Sequence, residues 1–584
     1  MNVSTANLPR PEYPRPDFER QEWLNLNGAW EFDFDDGDIG EKDGWFKGKA
    51  FSKTIVVPFC YQSELSGINS KEMHENLWYK REFELPDSSI GKKILLHFGA
   101  VDYIAKVWVN GEFVGQHHGG HISFKLDITN YIKSGKNLLV VKAVDKYECT
   151  QPRGKQYWKE KPDRCWYTPT SGIWQTVWLE AVGELYIDKL RMTPDIDRKT
   201  LLTEVYLDRT PSYAEITITV SYKGVEKKSI TTSITGRISA VTIDMKEEDF
   251  IDEIHYWRPE APNLYDIKFC IIKNGVVTDE VKSYFGMRKI SIKGDLILLN
   301  NSPYYQKLIL DQGYWPESLI TPPSDEAIIY DIEMTKKMGF NGARKHQKIE
   351  DPRYYYWADK LGLLVWGEMP SAYDFNSEEI QNVAQEMIDF INRDYNHPCI
   401  ITWVPLNESW GVRNIYVDKN QQDFGRALYY MVKALDGTRL ISTNDGWEQV
   451  EADICGIHDY EAWSEGFHPK YQDKENLLSG AANNRRLLYA QGIKYEGQPI
   501  LVTEYGGIAF KTENCENWGY NGTVNDEESF FARYADITGA IRKTPYIRGY
   551  CYTQLTDVMQ EVNGLMTADR KVKVDLERIK QVNS

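Results

Sequence analysis

YYQKLILD (304–311), GFNGARKH (339–346), LLVWGEMP (363–370), IITWVPLNE (400–408), RLISTNDG (439–446), ADICGIHDY (452–460), PILVTEYGG (499–507) and YIRGYCYTQLTD (546–557) are eight apolar runs of strand length. Between them lie DEAIIYDIEMTKKMG (325–339), NVAQEMIDFINRDY (382–395), FGRALYYMVKALDG (424–437) and EESFFARYADITGAIRK (527–543), whose apolar residues recur at spacings of three and four. Strands alternating with amphipathic helices over residues 289–584 match a (β/α)₈ TIM barrel in size and count. A doubly wound open sheet would need a glycine-rich phosphate loop after its first strand, and none is present.

Upstream of Arg288 the pattern is strand after strand. From residue 1 to 183 the runs AWEFDF (29–34), TIVVPF (54–59), KILLHFGAV (93–101), AKVWVNGEFVG (105–115), NLLVVKAV (137–144) and TVWLEAV (176–182) predict a jelly-roll β-sandwich, with Asn110-Gly111 as a hairpin turn. Residues 184–288 repeat the habit in LRMTPDI, TEVYLDR, AEITITVSY, SAVTIDM and YDIKFCII, a length that suits an immunoglobulin-like β-sandwich acting as a spacer. The fold class is thus multidomain β and α/β, and 584 residues exceed what one core can organise.

Composition narrows the function. A formal charge of -17 argues against nucleic acid and anionic membrane surfaces, both of which attract basic patches. No run of about 18 apolar residues suggests a membrane span, and MNVSTANLPRPEYPRP lacks a leader's basic start and apolar stretch, so a cytoplasmic protein is expected. Eight cysteines without C-x-x-C spacing suggest neither a zinc cage nor a disulfide framework; Cys270, Cys399, Cys455 and Cys551 read as core thiols. The load of 18 Trp and 37 Tyr fits sugar or peptide binding and large β-rich cores equally.

Barrel enzymes carry their chemistry at the C-terminal ends of strands. Here the second strand ends in Arg344 and His346, the third in Glu368, the fourth in Asn407 and Glu408, the fifth in Asn444 and Asp445, the sixth in His458 and Tyr460, and the seventh in Glu504 and Tyr505. Inward carboxylates are expensive to bury unless used or paired. Glutamates on strands four and seven face each other across a barrel and supply the acid and the nucleophilic carboxylate that glycoside hydrolysis needs. Asn407 is placed to meet the sugar 2-hydroxyl, Tyr505 or Tyr460 to donate to Glu504, and an apolar seat would raise the Glu408 pKa to suit an acid. Trp366, Trp403, Trp410 and Trp447 could stack on sugars or pack in the core, with Asp445 and Trp447 the better candidates for substrate contact. A metal-dependent barrel hydrolase lacks support, since no H-x-H or H-E-x-x-H pattern occurs among ten histidines.

VPLNESWG (404–411) and LVTEYGG (501–507) resemble the acid/base and nucleophile segments of glycoside hydrolase family 2. LNGAWEFD, WYKREF, VDYIAKVWVNGEFVGQHHGGHISFKLDIT and TSGIWQTVWLE are similar to that family's sugar-binding jelly roll. The resemblance implies a retaining exo-β-glycosidase with Glu408 as acid/base, Glu504 as nucleophile, Asn407 on the 2-hydroxyl and Arg344 near the nucleophile. It also implies a glycoside or oligosaccharide substrate, no cofactor, and a homo-oligomer of the kind many members form. His346 follows Arg344 sooner than in the family's usual run, and His458 stands where many relatives carry tyrosine. Glu368 matches a third-strand carboxylate that bonds to active-site side chains or the sugar. Some family β-galactosidases hold magnesium with a glutamate and a histidine after the third strand; GEMPSAYDF (367–375) offers neither beyond Glu368, so no metal is expected.

For the glycone, the resemblance implies β-galactoside, with β-glucuronide the alternative. Family β-glucuronidases read the sugar carboxylate with an N-x-K motif, whose positions Glu561 and Asn563 occupy in EVNGLMTADRK (561–571). Arg344, Lys345 or a cation from a jelly-roll loop such as KEKPDR (159–164) could substitute. A non-catalytic sugar-binding protein is the remaining alternative, and the presence of both glutamates with Asn407 weighs against it.

Overall fold

A computed structural model of the chain describes residues 8–246, 254–479, 486–510 and 518–584. The first seven residues, part of the stretch read for a leader, and Cys515 lie outside them. Eight parallel strands form one curled sheet: β1 (Gln306–Asp311), β2 (Gly342–Lys345), β3 (Leu364–Glu368), β4 (Ile400–Val404), β5 (Leu440–Ile441), β6 (Cys455–His458), β7 (Ile500–Gly506) and β8 (Ile547–Thr553). Neighbours follow chain order, and β8 pairs with β1. Between β5 and β6, Asp453 bridges the ring: its N–H donates to Ile441 O at 2.8 Å and its carboxylate accepts from Ile441 N at 3.0 Å. Every residue of β3 and β4 is buried, as continuous apolar runs require in a sheet covered on both sides.

Around the sheet run α1 (Asp325–Lys337), α2 (Pro352–Leu361), α3 (Ser377–Asp394), α4 (Lys419–Leu435), the short α5 (Ser464–Lys470) and α6 (Lys474–Ser479), α7 (Glu527–Lys543) and α8 (Leu576–Asn583). Their starts are set by side chains that accept from otherwise unpaired first-turn N–H groups: Ser324, Asn376, Asp418 and Asp526 cap α1, α3, α4 and α7. Periodicity alone places the start of α4 at Phe424. The helix begins at Lys419, because the Asp418 cap secures a polar first turn that carries no apolar signal.

Two sandwiches precede the barrel. The first packs a four-stranded sheet containing Lys93–Phe98 and Val177–Val182 against a six-stranded sheet containing Asn76–Glu84 and Lys136–Val144. Its hairpin between Ile104–Val109 and Glu112–His118 turns on Asn110 and Gly111, both at positive φ (53° and 82°), as read from the sequence. The second has three and four strands, and in Ala214–Tyr222 every second residue points into its core. Arg20 joins the two, with Nη1 2.7 Å from Glu180 and Nη2 2.8 Å from Asp279.

One long irregular stretch of the first sandwich, residues 145–171, crosses to the barrel. The N–H groups of Arg153 and Gly154 both donate to Ser371 O, at 2.9 and 3.0 Å. Gly154 sits at φ +60°, and a Cβ there would lie 2.1 Å from Gln347 O, so only glycine lets the loop come this close.

Candidate active site

The mouth of the barrel gathers charged side chains from five strand ends around Arg344, which is fully buried. Its Nε donates to Glu368 Oε1 at 2.6 Å and its Nη2 to Asn407 Oδ1 at 3.1 Å. Nη1 donates to Thr503 O at 2.7 Å and lies 3.0 Å from Asp445 Oδ2 and 3.2 Å from Glu504 Oε1. A buried guanidinium with this many carboxylates keeps its charge, and its five donors fix their positions. Removing it would leave those carboxylates uncompensated, at about 3–5 kcal/mol for such buried pairs.

Glu408 sits beyond β4 on a backbone at φ +53°, followed by Ser409 at +54°. Two consecutive non-glycine residues in the left-handed region need external bonds to hold them. Glu408 N–H donates to Asp445 O at 2.9 Å, Ser409 N–H to Asn444 Oδ1 at 2.8 Å, and Trp410 N–H to Asn407 O at 3.0 Å. The run N-E-S-W is thus pinned by Asn444-Asp445 on the neighbouring wall. Among the described residues nothing accepts from the buried Asn407 Nδ2, a donor that a 2-hydroxyl would accept from.

His458 lies between the two glutamates. Its Nδ1 is 2.8 Å from Glu408 Oε1 and 3.4 Å from Glu504 Oε2, and its Nε2 is 2.9 Å from Asp445 Oδ2. Carboxylates at both ring nitrogens are satisfied together only by the imidazolium. Burial pulls the His458 pKa down, but Glu504, Asp445 and Glu408 push it up further, to about 10. The converse holds for Glu408: burial alone would raise its pKa, yet the His458 hydrogen bond and charge, with a smaller part from Lys155, bring it below the ordinary carboxylate value. The apolar, pKa-raising seat expected for the acid is therefore corrected; the seat is ionic. Asp445 is likewise held low, the cost of burial being outweighed by Arg344 and His458.

Glu504 accepts from Tyr460 Oη at 2.6 Å, and the Tyr460 ring stacks on Tyr520 at 3.8 Å. Tyr505, the other donor considered, is not at the site. Strand alternation turns it outward, where its hydroxyl meets Thr538 of α7 at 2.8 Å. His346 lies with Nδ1 2.9 Å from Glu368 Oε2 and 3.9 Å from Glu504 Oε1, and burial lowers its pKa well below 6.5. As a neutral imidazole it donates to Glu368. Glu368 binds Arg344 and His346, the protein-facing half of the role expected of it.

The tryptophans divide. Trp366 bonds to Gln306 and Trp403 to Asp436, both fully buried in the core. Trp410 donates to Glu408 Oε2 at 3.3 Å and lies 6.1 Å from Trp447, so these two form the wall beside the acid/base candidate. The sandwich loop adds Trp166, 5.3 Å from Trp410, and Trp158, 4.4 Å from Tyr373.

Two residues near Glu561, which the sequence had pointed out, escaped the sequence reading: Lys155 and Tyr167. Lys155 is buried, and the charges of Cys165, Glu561, Glu504 and Glu408 outweigh the cost of burial and raise its pKa; Tyr167 Oη donates to Glu561 Oε2 at 2.6 Å, and Glu561 itself is fully buried. Of the cations named as substitutes for the missing lysine, Arg344 is committed to carboxylates and Lys345 points away to Asp311 and Glu350, each at 2.9 Å. KEKPDR stays largely exposed. The same loop does bury a cation four residues earlier, Lys155, and the one signal for it is the length of the strand-free stretch 145–171.

Three profiles of one family align along the chain: "Glycosyl hydrolases family 2, sugar binding domain" over residues 24–181, "Glycosyl hydrolases family 2" over 185–288, and "Glycosyl hydrolases family 2, TIM barrel domain" over 323–584. The chain belongs to glycoside hydrolase family 2. Among family relatives, a β-galactosidase of Thermoanaerobacter pseudethanolicus is 28% identical over 421 residues, covering 68% of this chain and 53% of its own. A β-glucuronidase of Paenibacillus borealis is 23% identical over 85% of each chain. A solved β-glucuronidase from Ruminococcus gnavus in complex with D-glucuronic acid superposes with a TM-score of 0.79 at 20% identity, over 99% of this chain and all of that one. The chain spans about half the length of several curated relatives that it matches. No helix among the described residues is long and apolar enough to cross a membrane.

Glu408, His458 and Glu504 also have the proximity of a metal-ligand set. The imidazolium and Arg344 already supply positive charge there, and a metal would have to displace the His458 protons. Activity is expected to survive chelator treatment unchanged; a large loss restored by magnesium or zinc would overturn this.

Proposed function

We propose that the chain is a retaining exo-β-glycosidase that releases terminal neutral β-hexosides, β-galactosides first, by double displacement. The observation that carries this is the approach of the two carboxylates: oxygens of Glu408 and Glu504 lie within 4.8 Å of one another. That matches the roughly 5 Å of retaining enzymes and leaves no room for the extra water of inverting ones. Glu408 protonates the glycosidic oxygen while Glu504 attacks the anomeric carbon and expels the aglycone. Glu408 then takes a proton from water, which attacks the glycosyl-enzyme and frees Glu504. Asn407 Nδ2 binds the 2-hydroxyl, a contact that strengthens as the oxocarbenium-like transition state forms. The buried cluster of Glu561, Asn563 and Gln554 beside the site supports a closed pocket over an open groove.

A β-glucuronide is the second reading, favoured by Lys155 and by the family relatives that carry that name. A panel of nitrophenyl glycosides tests both. The β-galactoside is expected to give the highest kcat/KM, and a proton NMR time course to show the β-anomer of the sugar first. Initial α-anomer would exclude double displacement, and a higher kcat/KM for the glucuronide would select the second reading.

A further inference from the structure

Arg533 is a costly residue for the inner face of α7. It is only 6% exposed, yet among the described residues it meets no carboxylate. Its Nε donates to Ala462 O at 3.2 Å and its Nη1 to Asn521 O at 2.9 Å, while its Nη2 is buried with no acceptor. A buried cation bonded only to carbonyls is expensive, and burial accordingly lowers its pKa. What the guanidinium adds over an apolar side chain is its hold on the two carbonyls.

Those carbonyls belong to the two segments that wall the site on the side of Glu504. Ala462 lies two residues beyond Tyr460, and Asn521 directly follows Tyr520. The Tyr460 and Tyr520 rings are parallel, 3.8 Å apart at an angle of 3°. Tyr460 Oη donates to Glu504 Oε2 at 2.6 Å and lies 3.2 Å from Thr553 Oγ1. Tyr520 meets Trp518 edge-on at 4.4 Å, and its N–H donates to Gly507 O at 3.2 Å, one residue past β7. Lys470 fastens only the first segment, through Asp459 and Glu461, each at 3.0 Å. Among the described residues, Arg533 is the one side chain hydrogen-bonded to both 459–463 and 518–522.

We infer that Arg533 is a positioning residue for the nucleophile: by holding the two carbonyls it keeps Tyr460 against Tyr520, and so keeps the Tyr460 hydroxyl on Glu504. Offset stacks tolerate sliding in the ring plane, and a hydroxyl displaced by about 1 Å no longer aims at the carboxylate. Two anchored carbonyls remove that freedom. Glu504 is then gripped on both oxygens, by Tyr460 on Oε2 and by Arg344 on Oε1 at 3.2 Å, which fixes its line of attack. The inference rests on the reading of Glu504 as nucleophile given above.

The test follows covalent capture of Glu504 by a dinitrophenyl 2-deoxy-2-fluoro-β-glycoside of the glycone that the panel selects. A Glu504 oxygen bonds to the anomeric carbon, the bond from that carbon to the phenolic oxygen breaks, and the electron pair leaves with dinitrophenolate, so no proton from Glu408 is needed. Labelling rates, and kcat and KM on the nitrophenyl glycoside, are compared in wild type, Arg533→Met, Arg533→Lys and Tyr520→Leu, each with and without Tyr460→Phe, with thermal melts to confirm folding. Arg533→Met is expected to slow labelling and kcat by roughly 10- to 100-fold with a smaller change in KM, since a small displacement of a reacting group is this costly. Arg533→Lys, able to hold one carbonyl, should recover part of the loss, and Tyr520→Leu should fall in the same range as Arg533→Met. In the Tyr460→Phe background, Arg533→Met should cost less than about threefold more, because the hydroxyl it positions is already gone. Labelling unchanged in Arg533→Met, or an equal loss in both backgrounds, overturns the role. Should Arg533→Met fail to fold, the same two comparisons made with Tyr520→Leu decide. A wild type that turns over no glycoside and is labelled by none overturns the glycosidase reading and the positioning role with it, whereas labelling of Glu504 that is indifferent to Arg533 overturns the positioning role alone.

Discussion

Replacing Glu504 by Gln is expected to lower turnover by roughly four orders of magnitude or more, about 5.5 kcal/mol of transition-state stabilisation, while the fold persists. The loss should be this large because the amide keeps the shape, and the hydrogen bond from Tyr460, but cannot attack carbon. Azide should restore part of the rate in Glu504→Gly, giving a glycosyl azide of inverted configuration, since a small anion can occupy the vacated space. Glu408→Gln should behave differently. Glycosides with good leaving groups, such as dinitrophenolate, need little protonation and should lose far less than natural-type substrates. Near-normal turnover by either Gln variant on natural-type substrates would show that the two roles are misassigned.

The second large effect is expected in the pH profile on changing His458. With His458 at about 10 and Glu408 below its ordinary value, the free site stores its proton on the histidine, 2.8 Å from the oxygen that must deliver it. The two titrate as a pair holding one proton. The alkaline limb of kcat/KM should therefore lie well above neutral in wild type. His458→Gln removes the reservoir, and the limb should move down by about two pH units or more, with the deficit smallest in acid and for good leaving groups. The linked stability has a definite sign. A folded pKa raised above the ordinary 6.5 contributes fully below about pH 6.5, and the contribution is lost as pH rises toward 10. Wild type should thus lose thermal stability over that window more steeply than His458→Gln. Superimposable limbs in the two proteins would mean that the Glu408 proton is governed elsewhere.

Local patterning reaches the barrel and its rim because both follow from short-range rules. Continuous apolar runs become strands buried on both faces, and polar residues closing such runs can only be at the rim. That is why Arg344, Asn407, Glu408, Asp445, His458, Tyr460 and Glu504 converge where the strand pattern puts them. Tyr505 fails for an equally local reason, being one residue out of phase with Glu504 on a strand of period two. The ionic seat of Glu408 is not local: it needs β4, the Asn444-Asp445 wall and His458 at their final spacing. Lys155 is further still from legibility, since its place depends on how an irregular loop docks against another domain.

That docking has a consequence for how such an enzyme can change. The strands that hold the nucleophile and the acid are constrained by ring closure and by the shared guanidinium, so almost any alteration there costs chemistry. The stretch 145–171 hangs from a different domain and docks on the barrel through backbone bonds that Ser371, Tyr373 and Asp374 share with it, the close approach at Gly154, and side-chain bonds such as Trp166 to Tyr373 and Tyr167 to Glu561. Substitutions in it can redecorate the sugar pocket without disturbing a barrel strand. The two carboxylates therefore sit on strands that can hardly vary, while part of the rim above them is lent by a neighbouring domain whose loop can vary without altering a barrel strand.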